Sequence, residues 1–139
     1  MDADPSEGEK IMAGEKIEVL IVVDAADAVS HGLQDNVYLV DTNKYGGSSD
    51  EGQNELRTKC EEGQIIRWRV TPISEDNKVS ITGFSGQIIN EHVCQPVPTG
   101  NIWEGRVDTQ GKRPRTYQYS VTLDIDGKSL TFDPFLDVV

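Results

Sequence analysis

From residue 117 onward the chain alternates without a break. Tyr117, Tyr119, Val121, Leu123 and Ile125 fall on one side of an extended segment, and Gln118, Ser120, Thr122, Asp124 and Asp126 on the other. Successive strand side chains point to opposite faces, so this pattern fits a strand with one face in a core and one in water. A helix would repeat its apolar positions at roughly 3.6-residue spacing instead. A second segment behaves in the same way: after the acidic turn Glu61-Glu62-Gly63, residues Ile66, Trp68 and Val70 oppose Ile65, Arg67 and Arg69. A Trp between two Arg in a strand implies a sheet packed on one side only, which is characteristic of antiparallel proteins.

The remaining segments extend this reading. Ile17, Val19, Ile21 and Val23 share one face, while the other carries Leu20 and Val22 between Glu18 and Asp24, as expected of a central strand. Val37 to Val40 forms a short β-branched and aromatic run. Between these two, Ala25 to Leu33 is brief, contains Gly32 and lacks an apolar stripe, which favours an irregular connection over a helical turn. Thr42 to Glu55, rich in Gly, Ser, Asn and Asp, reads as a long polar loop. Leu56, Thr58 and Cys60 alternate with Arg57 and Lys59 and precede the Trp68 strand as one arm of a hairpin or arch. Pro72 ends that strand. A further strand runs from Val79 to Gly83, Gln87 to Asn90 is a candidate for another, and Cys94 to Gly100 is a stiff connector. Trp103, Gly105 and Val107 open a last block. In it, Asp126-Gly127 is the strongest hairpin signal, because both residues tolerate the positive φ of a type I′ turn. Leu130, Phe132 and Phe135 to Val138 follow. The expectation is an all-β, antiparallel two-sheet β-sandwich, Ig-like or jelly-roll-like, formed by residues 15–139 as one domain behind a flexible acidic arm at 1–14.

Composition narrows the partners. The 139 residues carry 24 acidic against 13 basic side chains, a formal charge of −11. This opposes the counterion-release binding by which proteins gain affinity for nucleic acid, and it disfavours anionic membranes as well. Lys112-Arg113-Pro114-Arg115 is the one basic cluster and is read as a solvated loop. The first ten residues lack the basic and apolar regions of a secretory signal, and the longest apolar run, Val19 to Val23, is far below the roughly 20 residues of a membrane helix. A cytoplasmic protein with two reduced thiols, Cys60 and Cys94, is expected.

Four stretches resemble the bacterial AidA/PixA inclusion-body protein family: Ile17 to Asp24, Asn36 to Val40, Gly63 to Arg69, and Phe132-Asp133-Pro134-Phe135-Leu136-Asp137-Val138. They occur in family order and span most of residues 16–139. The resemblance implies a cytoplasmic β-sandwich that self-associates, in a family whose members include crystalline inclusions and products under quorum-sensing control linked to host interaction. It implies no catalytic residues. The inclusion-forming type is histidine-rich, whereas this chain has only His31 and His92.

Chemistry is sparse. His31, His92 and Cys94 would supply part of a blue-copper set, but no later His or Met follows Cys94, and neither cysteines nor histidines show the paired spacing of zinc sites. Asp124-Ile125-Asp126-Gly127 opens like a calcium loop but lacks the closing Glu, so a hairpin turn is favoured. Asp50-Glu51 and Glu61-Glu62 read as solvated charge. There is no nucleophile elbow and no glycine-rich phosphate loop. The sequence therefore points to a non-enzymatic protein with no cofactor and no metal, acting as a homo-oligomer or through a protein partner. The alternative is a lectin-like module for a carbohydrate or small ligand. Its candidate contacts are Trp103 as a stacking platform beside Asn101, with Arg67 and Arg69 as polar groups on the outer sheet face.

Overall fold

The computed structural model describes residues 16–32, 35–42 and 55–139. The expected acidic arm at 1–14 lies outside the described residues, as does the expected polar loop apart from Thr42 and Glu55. Among these residues ten strands and two short helices are formed: β1 (Lys16–Val23), α1 (Ala25–His31), β2 (Val37–Asp41), β3 (Arg57–Cys60), β4 (Ile65–Pro72), β5 (Val79–Gly86), α2 (Gln87–Asn90), β6 (Val97–Thr99), β7 (Ile102–Arg106), β8 (Arg115–Ile125), β9 (Lys128–Phe132) and β10 (Phe135–Val138). They make two five-stranded sheets, one ordered β2-β1-β4-β7-β6 and the other β3-β10-β8-β5 with β9 also on β8. The chain is an all-β sandwich, as its alternation requires.

Each sheet is mixed rather than purely antiparallel. β1 runs parallel to β4, and β3 runs parallel to β10, while the other pairs are antiparallel. The turn at Glu61-Glu62-Gly63 explains this. It carries the chain from β3 in one sheet to β4 in the other, an arch rather than a hairpin, so the strands on either side of it find partners supplied by distant segments. Alternation reports which face is buried and is silent on the direction of the neighbour.

The inner faces are those expected. Ile17, Val19, Ile21 and Val23 on β1, Ile66 and Trp68 on β4, and Tyr117, Tyr119, Val121, Leu123 and Ile125 on β8 are all buried in one apolar cluster. β8 is the spine of its sheet. One edge pairs with β5, while the other pairs first with β10 and then with β9, and both follow one continuous register (Val121 opposite Phe132, Gln118 opposite Phe135). Pro134 interrupts that edge because it has no N–H to give, although its carbonyl still accepts from Tyr119 N at 3.0 Å. The Asp126-Gly127 turn has φ of 50° and 93°, as a type I′ hairpin needs.

Three segments differ from the sequence reading. Ala25–His31 is a helix. Asp24 caps it by accepting from Asp27 N at 3.4 Å, and Ala25 and Ala28 are buried, so two small side chains replace the broad apolar stripe that was sought. Gln87–Asn90 is a helical turn rather than a strand, with only Ile88 fully buried. Val97–Thr99, read as connector, adds an edge strand in which Pro98 is tolerated. β5 also runs past Gly83. A bulge between Ile81 and Gly83 shifts the register by one residue, which turns Phe84 inward where unbroken alternation would point it out.

The sheets meet at aromatic rings. Trp68 on β4 and Tyr119 on β8 are fully buried, and Trp68 Nε1 donates to the Tyr119 hydroxyl at 3.1 Å. Phe84 packs on Trp68 with centroids 4.7 Å apart, and Trp103 on Phe84 at 5.5 Å. At the β2 and β3 edges a second buried cross-link closes the sandwich, with Thr58 Oγ1 donating to Asp41 Oδ2 at 2.8 Å.

Tyr119→Phe removes the acceptor and leaves a buried indole N–H unpaired, so urea unfolding should show a loss of about 1–3 kcal/mol with an unchanged m-value. A loss below about 0.5 kcal/mol would mean that the N–H is otherwise satisfied. The two thiols are also masked. Burial pushes Cys94 from 9.0 up to about 12, and Cys60 is raised by burial and then by the nearby Cys94 and acidic groups. A thiol whose pKa rises on folding contributes stability that is intact below its unfolded value. Stability should therefore fall as pH climbs from 9 toward 12, and a disulfide reagent should titrate neither thiol in the native state at neutral pH and both in urea.

Candidate functional site

Trp103 and Asn101 do come together. The tight β6–β7 turn sets Asn101 at the rim of a pocket of about 150 Å³, and Trp103, directly opposite Trp68 in the β4–β7 ladder, packs against the core and lines the same pocket. Val70, Val79 and Ile81 form its apolar walls, and Ser80 and Asn101 its polar rim. Trp103 is thus half-buried, both a core residue and a wall. The pocket is smaller than the roughly 300–1,000 Å³ of typical ligand sites, so it has room for one small ring or side chain.

Arg67 and Arg69 lie elsewhere. They point from the opposite face of β4, away from Trp68, on the outer surface of the sheet. Arg67 is held between neighbouring strands, donating to Glu18 on β1 at 3.1 Å and standing 3.9 Å from Glu104 on β7, which Lys16 also approaches at 3.6 Å. Its Nε is buried without a hydrogen-bond partner. These partly exposed pairs are worth about 0–1 kcal/mol each and read as a charge lattice across three strands. Arg69 is exposed beside Leu20 in the β1–β4 register. The four residues therefore divide between two surfaces, because residues 67 and 69 have the strand parity opposite to that of Trp68, whose partner is Trp103.

Other side chains considered for chemistry have structural duties. Both Asp126 oxygens are used, accepting from Lys78 N at 2.8 Å and Asn77 Nδ2 at 2.9 Å, and the Lys78 amide bond is the main reason its carboxyl is held below the usual range. Glu62 accepts from Thr109 N through both oxygens at 3.0 Å, and from the Thr109 hydroxyl as well. Asp50 and Glu51 lie outside the described residues. His31 is paired with Asp27 on α1 at 3.0 Å. Among the described residues no group of three or more His, Cys, Asp or Glu side chains is placed to hold a metal, and no helix is long and apolar enough to cross a membrane. One concavity escaped the sequence reading, a cleft of about 350 Å³ whose lining includes His92, Arg106 and Asp108. Its residues come from two segments with no shared motif, so no spacing rule could find it.

Gly105 ties these surfaces to the core. A Cβ there would stand 2.5 Å from Cys94 Sγ and 3.2 Å from the Pro96 backbone, closer than packed atoms tolerate. Gly105→Ala should cost about 1–3 kcal/mol in chemical denaturation. Adding Cys94→Ala should recover part of that loss, since the sulfur is the first obstacle. Strict additivity in the double variant would show that the Pro96 backbone sets the limit instead.

No curated protein sequence matches the chain. Among solved structures, a PixA inclusion body protein from Burkholderia cenocepacia J2315 matches with a TM-score of 0.64 at 15% identity, covering 92% of this chain and 98% of that one. At that identity the likeness shows a shared fold. Residues 15–131 match a domain family described as a domain of unknown function, DUF8788. The chain belongs to that DUF8788 family.

Proposed function

We propose that this chain is a non-enzymatic, cytoplasmic β-sandwich protein of the AidA/PixA inclusion-body type that works by self-association. The observation that carries the reading is the outer face of the β2-β1-β4 sheet. Leu20 and Val22 on β1 stand opposite Val40 and Tyr38 on β2, with Ile73 just beyond β4. Tyr38 is 42% exposed, Val40 41% and Ile73 61%, on a face where alternation alone would place polar groups. Arg69 adjoins Leu20 there, and the acidic Glu18 lies two residues back along β1, so a second copy related by a two-fold axis meets both apolar and complementary charged groups. The fold shared with the PixA protein over 92% of this chain supports the same reading. Quorum-sensing control and a role in host interaction follow from the resemblance alone.

Light scattering after size exclusion should show a mass that rises with concentration. Tyr38→Lys with Val40→Lys should hold the chain at its monomer mass while native Trp emission is unchanged. A strict monomer of the unsubstituted chain at high concentration overturns the proposal.

A second reading rests on the Trp103 pocket. A lectin-like site would stack one sugar ring on the indole and orient it through Asn101 and Ser80. Glycan-array binding lost in Trp103→Ala would favour it, and binding unaffected by that substitution removes Trp103 from any such site.

A further inference from the structure

The cleft between the α2–β6 connection and the end of β7 has an apolar floor and a rim of opposite charges. Val93 and Cys94 are buried beneath it, while His92, Gln95, Arg106 and Asp108 stand exposed around it. The floor is fixed by Asp108 N donating to Val93 O at 2.8 Å and by Cys94 N and Val93 N both donating to Ile88 O, at 3.0 and 2.9 Å. At about 350 Å³ it falls within the range of sites that take small ligands, which the Trp103 pocket does not.

Three features give it chemistry. Arg106 closes β7 and Asp108 follows two residues later; both are exposed while Gly105, Val107 and Thr109 are buried, so the two charges share one side of the chain. Yet neither is in an ion pair among the described residues: Arg106 Nη1 donates to Gly63 O at 2.6 Å, and Asp108 Oδ1 accepts from Gln110 N at 3.0 Å. Each spends one polar atom on the backbone, which fixes its position and leaves the rest of its charge open to the cleft. On the facing wall His92 is held at φ 58°, a strained conformation for a residue with a side chain. Its Nδ1 lies 3.5 Å from Gln95 Nε2, leaving Nε2 directed away from that contact.

A simple anion would meet the Asp108 carboxylate, and a simple cation would meet Arg106. A ligand carrying an ammonium and a carboxylate on one carbon satisfies both. We infer that this cleft binds the head group of a free α-amino acid, with Arg106 and His92 on its carboxylate, Asp108 on its ammonium, and an apolar side chain over Val93 and Cys94. Self-association is a separate matter, since Tyr38 and Val40 lie on β2, at the other edge of the sheet.

Isothermal titration of the full chain with leucine, up to about 10 mM so that a Kd near 1 mM is saturated, tests this. Binding is expected, with at least a tenfold loss for N-acetyl-leucine and for leucinamide. Asp108→Asn, whose amide oxygen still accepts from Gln110 N, should weaken leucine to the same degree without further weakening the acetylated compound. Arg106→Gln should do the converse with leucinamide. Should either variant unfold, the two leucine derivatives read the same contacts on the unsubstituted chain. No heat of binding from leucine, or binding that discriminates neither derivative, overturns the inference.

Discussion

One hydrogen bond sits where the two sheets are most deeply buried. Trp68 and Tyr119 each carry a polar atom into a region without water, and burying either unpaired would cost about 1–3 kcal/mol. Each is the other's solution, at 3.1 Å across the gap between β4 and β8. Because these strands are central in their sheets, the bond ties the layers at the middle; Trp68 and Tyr119 meet edge-on, and Phe84 is tilted against Trp68 and Trp103 and stacked on Tyr119.

Several departures from regular geometry are arranged around that centre. The β5 bulge delivers Phe84 to Trp68, and Gly105 lets the Cys94 and Pro96 segment lie directly on β7. The same close approach brings His92 and Gln95 near Arg106 and Asp108, so the cleft is a by-product of the way the α2–β6 connection is pressed against the sheet. The outer faces are treated differently. On one sheet Arg67 knits β1, β4 and β7 through Glu18 and Glu104. On the other, Arg57 donates to both oxygens of Asp137 at 3.1 and 2.9 Å, joining the parallel β3–β10 pair. Lateral ion pairs of this kind help to fix register where no hairpin turn can, as in a parallel pair.

Much of the fold is legible in the sequence. Tyr117 to Ile125, Ile17 to Val23 and the Trp68 strand were assigned to their buried faces by parity, and Asp126-Gly127 to its turn, because those signals are local and need only neighbouring residues. Where the reading failed, the deciding information was distant. Ala25–His31 is helical with two alanines buried in the core, and Phe84 turns inward because a bulge answers the spacing of β8. The candidate site was half legible. Trp103 and Asn101 share a pocket, while Arg67 and Arg69 belong to the far side of the sheet.

What the sequence determined alone is the all-β character, the inner face of most strands and the acidic balance of the chain, since period-two alternation and charge are properties of the chain itself. Tertiary structure decided which strands run parallel, which rings share the core and which charges meet around a cleft. Those outcomes depend on contacts between residues such as His92 and Arg106, or Trp68 and Tyr119, whose proximity is created by folding and carries no signature in their order along the chain.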